Sequence, residues 1–128
     1  MSLVSPLGRV LGLGSAREGS HHWYAQRLSA VALTLLGAWF LASLVMLGGV
    51  DLERLRAWIA SPIVAALLLL HIAALAWHAI LGLQVVLEDY VGAKGVRVAA
   101  LIAIKFALVL AAAAAGIAVL RLALGGAA

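Results

Sequence analysis

Three long stretches of this chain carry almost no polar side chain, and short polar segments separate them. Leu28 to Val50 runs 23 residues without a charge, and Pro62 to Leu87 runs 26 residues without Asp, Glu, Lys or Arg. Val98 to Leu120 is apolar apart from Lys105. A helix needs about 20 apolar residues to cross the hydrocarbon core, so each run is long enough to span a bilayer. The pattern predicts spans at 28–50, 62–87 and 98–120. Asp51 to Ser61 reads as a connector with an interfacial turn of helix marked by Trp58, and Pro62 suits the first position of the next helix. Glu88 to Arg97 reads as the second connector, with two glycines to turn the chain.

The polar segment ahead of the first run, residues 1–27, reads as a cytoplasmic arm at the membrane surface. Its Trp23 and Tyr24 suit the headgroup layer, and Arg27 can snorkel there. It does not read as a secretory signal, because the apolar run that follows is too long for one. His21 and His22 are adjacent, about 100° apart on a helix, which favours solvated interfacial histidines over a shared metal site.

Composition agrees with the pattern. Of 128 residues, 66% are hydrophobic and 11% charged, and the mean hydropathy is +1.18. A soluble domain needs far more polar surface. The expectation is an all-α integral membrane fold of three transmembrane helices, serving as part of a hetero-oligomeric helix bundle. The net charge of +4 reads as a topology signal and contact with anionic lipid, with no nucleic acid implied. Arg9, Arg17, Arg27, Lys94 and Arg97 flank one side, against Arg54, Arg56 and Arg121 on the other. The excess predicts a cytoplasmic N-terminus. With no cysteine in the chain, thiolate-bound clusters and disulfides are excluded, so redox chemistry would need a histidine-held cofactor or a partner.

The second run holds the candidate chemistry. His71 and His78 lie seven residues apart, on one stripe offset by about 20°. An imidazole in hydrocarbon is costly unless it has a partner or a ligand. His78 has Ala74 and Gly82 one turn away, which strips bulk from the surface around it, while His71 has Leu67 and Leu75. Clearance of that kind suits a flat macrocycle held by an imidazole nitrogen, so His78 is the candidate haem ligand. Packing or a hydrogen bond to a neighbouring helix is the plainer reading for His71. Ser29, Thr34 and Ser43 in the first run can bond back to their own helix or touch a neighbour. Gly37, Ala38, Ala42 and the alanines at 111–115 before Gly116 permit close helix contacts. Lys105 reads as a snorkelling side chain.

His78 to Tyr90, HAILGLQVVLEDY, resembles the H-x-x-x-G-x-x-x-x-x-x-D-Y signature of the succinate dehydrogenase hydrophobic membrane anchors (D subunits). Ser15 to Leu33, SAREGSHHWYAQRLSAVAL, is similar to the start of the first helix in the proteobacterial members. The resemblance implies that His78 is an axial ligand of haem b, with the second ligand from a sister cytochrome b anchor subunit. It implies that Tyr90 bonds a ubiquinone carbonyl and that Asp89 supports that site. Arg27 and Ser29 match the first-helix pattern, whereas the signature does not call for His71. The implied partners are the sister anchor, an iron–sulfur subunit, a flavoprotein subunit and membrane lipid, in a bacterial inner membrane. On that reading the chain is a non-catalytic subunit. The alternatives are a self-contained b-type cytochrome ligating through both His71 and His78, and a haem-free scaffold.

Overall fold

The computed structural model describes residues 16–49 and 51–125. The first fifteen residues of the expected arm, and Val50 at the end of the first run, lie outside them. Four helices follow in order: α1 Ala16–Met46, α2 Leu52–Ile59, α3 Pro62–Tyr90 and α4 Lys94–Ala123. No strand occurs among the described residues. Three of these helices are long and apolar enough to cross a membrane, over Ser20–Met46, Pro62–Tyr90 and Lys94–Ala123.

The helices outrun the apolar runs. Helix α1 includes residues 16–27 of the expected arm, and α3 continues through Glu88 and Asp89 to Tyr90. The second connector shrinks to Val91–Ala93. The reason is that hydropathy reports where hydrocarbon ends, whereas a helix ends where its hydrogen-bond ladder is broken or capped. Charged interfacial residues do neither. At 1.5 Å per residue the 29 residues of α3 extend to about 44 Å, which reaches through the headgroup layers as well as the core.

Where the chain does turn, the cause is local. Gly48 and Gly49 take φ of +67° and +138°, a region closed to most side chains. The Gly48 N–H donates to Val45 O at 3.2 Å, closing the end of α1. Ser61 is extended and Pro62 opens α3, where a missing N–H costs nothing. Between them α2 is amphipathic. Its Glu53, Arg54 and Arg56 are exposed, and Ile59 is buried. Trp58 stacks on Trp39 of α1 at 5.9 Å between ring centroids with planes 25° apart, and lies 6.3 Å from Phe40. That aromatic clasp ties the connector helix to the first span.

Helix α3 is the centre of the bundle. It packs against α1 on one side and α4 on the other, while α1 and α4 do not touch. Small residues set both contacts. On the α4 side, a Cβ at Gly116 would sit 3.5 Å from Leu69 Cδ2. The alanine run is not sealed against α3. Ala111, Ala112 and Ala115 line an apolar groove of about 240 Å³ with Ile72, Leu75 and Ala76 of α3, because methyl groups do not fill the space between two helices. On the α1 side, residues meet in antiparallel register: Gly37 opposite His71, Ser29 opposite His78 and Gln26 opposite Gly82. Large apolar side chains such as Leu35, Phe106 and Leu110 point outward, as they do where lipid or another helix is the solvent.

The Gly116 contact predicts a graded response. Gly116→Ala fits at ordinary contact distance and leaves the thermal midpoint of the detergent-solubilised protein unchanged. Gly116→Leu overpacks the α3–α4 seam and destabilises it by about 1–3 kcal/mol, read as a lowered midpoint.

Candidate functional site

His78 occupies the middle of α3 on the stripe turned toward α1. Its Nδ1 lies 3.0 Å from Ser29 Oγ. Ser29, only 7% exposed, is the buried polar residue among those described, and its hydroxyl donates to the carbonyl of Gln26 one turn back at 3.0 Å. The pairing places a polar side chain from each helix against the other, which is how transmembrane helices satisfy groups that lipid cannot. Nε2 of His78 has no hydrogen-bond partner among the described residues, and it is not among the sealed, unpartnered nitrogens. It is therefore open to its surroundings.

Beside this imidazole is a cleft of about 190 Å³ lined by Trp23, Gln26, Arg27, Ala30 and His78. The Arg27 guanidinium lies 5.5 Å from the centre of the Trp23 ring, a cation–π distance, and Trp23 meets Tyr24 edge-on at 5.6 Å. The bare surface expected around His78 is only partly free. A Cβ built on Gly82 would come within 3.8 Å of Gln26 Nε2, so the first span claims the clearance at Gly82. The open space lies toward Trp23 and Arg27 instead.

His71 shares the α1-facing stripe but has different surroundings. Its ring centroid is 5.8 Å from that of Phe40, with planes 44° apart, and a Cβ built on Gly37 would lie 3.8 Å from its Cε1. Its Nδ1 is buried without a partner. Packing against α1 is thus what the fold provides for His71.

Asp89 and Tyr90 close α3, and both are exposed, Tyr90 at 85%. Neither makes a hydrogen bond or ion pair among the described residues, whereas neighbouring Gln84 donates to Glu88 Oε1 at 2.9 Å. The structure does not bring the two residues to His78. They lie eleven and twelve residues further along one helix, Tyr90 about 18 Å away in rise. No group of three or more His, Cys, Asp or Glu side chains that could hold a metal ion occurs among the described residues.

Two participants had no clear signal in the sequence. Gln26 lies in what reads as an arm, and its proximity to Gly82 depends on α1 extending through it. His22 reads as a solvated interfacial group, yet its Nε2 is buried without a partner. Positions 22, 26 and 29 recur at intervals of four and three on α1, a single helical face. The signal was that spacing, visible once the helix is known to start earlier.

These features define a multi-pass helical membrane protein with an anchored imidazole in its central span and a polar helix end at one surface. Residues 1–116 match the family described as succinate dehydrogenase/fumarate reductase transmembrane subunit, and the chain belongs to that family. The succinate dehydrogenase hydrophobic membrane anchor subunit of Rickettsia bellii (strain RML369-C) is 37% identical over 92 residues, covering 72% of this chain and 74% of that protein. The subunit of the same name from Paracoccus denitrificans is 35% identical over 102 residues, covering 80% and 78%. That of Rickettsia conorii (strain ATCC VR-613 / Malish 7) is 33% identical over 85 residues, covering 66% and 68%.

The register at Gln26 yields a test of the α1–α3 seam. Gly82→Ala is accommodated, since its Cβ would lie 3.8 Å from the Gln26 amide. Gly82→Leu forces the helices apart at this level and lowers the thermal midpoint by the equivalent of about 1–3 kcal/mol, measured on the solubilised protein.

Proposed function

We propose that this chain is the D-type anchor of a succinate:quinone oxidoreductase, not catalytic alone. It docks the flavoprotein and iron–sulfur subunits at the membrane, shares haem b with a sister cytochrome b anchor subunit, and helps to form the ubiquinone site. The single observation that supports it most is the state of His78, an imidazole held at Nδ1 by Ser29 with Nε2 unpartnered and open. A haem ligand needs that arrangement, one ring nitrogen fixed by a hydrogen bond and the other free for iron. The donor set fits in a second respect. Arg27 lines the same cleft as His78, and a guanidinium is the side chain best shaped to meet the carboxylate arms of the macrocycle. Once bound, haem supplies one-electron redox chemistry near mid-membrane.

The residues of this chain would then divide the work. His78 would hold the iron through Nε2. Arg27 neutralises an acidic arm at the cytoplasmic end of the cleft. Tyr90, exposed at the end of α3, offers its phenolic O–H to a quinone carbonyl as negative charge develops there. Asp89, also unpartnered, orients neighbouring groups or relays protons. His71 stays a packing residue. The unpartnered outer faces of α1 and α4 are where the sister anchor and lipid would lie. The excess of Lys and Arg flanking the N-terminus and the α3–α4 connector supports a cytoplasmic N-terminus in a bacterial inner membrane, with Tyr90 on the side where the soluble subunits would bind.

A reduced-minus-oxidised optical spectrum of the purified membrane complex tests the ligand. His78→Ala is expected to lose or distort the b-type bands and His71→Ala to keep them; a normal spectrum in His78→Ala would sink the assignment. At the quinone end, Tyr90→Phe is expected to slow succinate–quinone turnover roughly 10²-fold, the usual effect of removing one preorganised donor. Succinate oxidation by an artificial acceptor that takes electrons from the soluble subunits should be unchanged in that variant.

A further inference from the structure

Ser29 is a small residue in a helix full of small residues, and its exposure of 7% would pass for packing. Its proton count says otherwise. A serine hydroxyl has one hydrogen and two lone pairs. In α1 that hydrogen goes to the Gln26 carbonyl at 3.0 Å. With that bond made, the 3.0 Å contact between Ser29 Oγ and His78 Nδ1 is completed by Nδ1–H as donor and the serine oxygen as acceptor. The neutral ring must then carry its proton on Nδ1 and its free lone pair on Nε2. Across the same seam His71 has no such acceptor, since its Nδ1 is buried without a partner. Of the two imidazoles in this span, one has its tautomer dictated by the neighbouring helix.

We propose that Ser29 is a positioning residue for haem ligation: its hydroxyl oxygen accepts the Nδ1 proton of His78, holds the ring in the Nε2-free tautomer, and tunes the iron bound there. The proposal rests on the assignment of His78 as an axial ligand. By drawing the proton partly off Nδ1, the serine oxygen leaves more electron density on the ring and makes the imidazole a stronger donor at Nε2, which favours ferric over ferrous iron. The Gln26 carbonyl acts one step further back. By taking the serine proton it leaves the oxygen available only as an acceptor, so the first helix sets the electronics of a ligand on the second span. The device needs no charge, which suits a site where charge is expensive.

The test is a potentiometric titration of haem b in the intact complex, followed optically, with haem content measured on the same samples. In Ser29→Ala the haem stays bound and the ferric preference falls about tenfold, a rise in midpoint potential of about 59 mV for a one-electron couple. Ser29→Thr keeps a hydroxyl able to bond back to the helix and to Nδ1, and restores the wild-type potential. Haem loss in Ser29→Ala with retention in Ser29→Thr also supports the proposal, because the hydroxyl is then what holds the ligand. A Ser29→Ala complex with full haem and an unmoved potential overturns it. So does haem loss in both variants with the subunits still assembled, which would make Ser29 a packing residue. Should Ser29→Ala fail to assemble, Ser29→Cys, which keeps the shape and weakens the acceptor, must show the same positive shift. His78→Ala is measured alongside: haem at wild-type level there would remove the ligand assignment itself, a failure distinct from that of Ser29.

Discussion

A polar atom in hydrocarbon has no water to turn to, and the architecture of this chain follows from that constraint. His78 lies in the middle of a 29-residue helix that contains no Lys or Arg and reaches its first acid only at Glu88. Its Nδ1 has no water to bond and finds its partner in protein. The partner is Ser29 of the first span, 49 positions away in sequence, and the same serine satisfies its own hydroxyl proton on the Gln26 carbonyl. One short chain of hydrogen bonds thereby links α1 to α3 at the level of the imidazole.

The rest of the packing makes that contact possible. Gly37 and Gly82 flank the Ser29–His78 level on either side, each leaving room for a side chain of the opposite helix. A Cβ at either position would meet the opposite helix only at ordinary contact distance, 3.8 Å, whereas a longer side chain would hold α1 and α3 apart. At the outer end, Trp39, Phe40 and Trp58 brace α1 against the connector helix, and Phe40 continues the contact to His71. On the other side α4 is held by Gly116 against Leu69. Because α1 and α4 do not meet, the three spans leave broad apolar faces exposed. That openness matches an element of a larger helical assembly.

Much of this was legible beforehand. Three apolar runs of spanning length predicted three spans, and each corresponds to a long helix. Trp58 in a charged connector predicted an interfacial helix, and Pro62 predicted the start of the next one. The seven-residue spacing of His71 and His78 predicted a shared face, and both rings do face α1. The helix ends were less legible, because hydropathy marks the hydrocarbon boundary and backbone hydrogen bonding ignores it. For that reason the polar face of His22, Gln26 and Ser29 was divided between an arm and a span when it belongs to one helix.

The sequence by itself determined the class of protein and the candidate ligand. Length and apolarity of a run are one-dimensional properties, and so is the fixed spacing of His78, Gly82, Asp89 and Tyr90. Tertiary structure alone decided which residues of the neighbouring helix each histidine meets. Ser29 and Gln26 bear on His78 because two helices are set antiparallel in one register, and Phe40 and Gly37 enclose His71 for the same reason. A partner donated across a helix–helix seam depends on rotation and depth, neither of which is written in the spacing of residues along either helix.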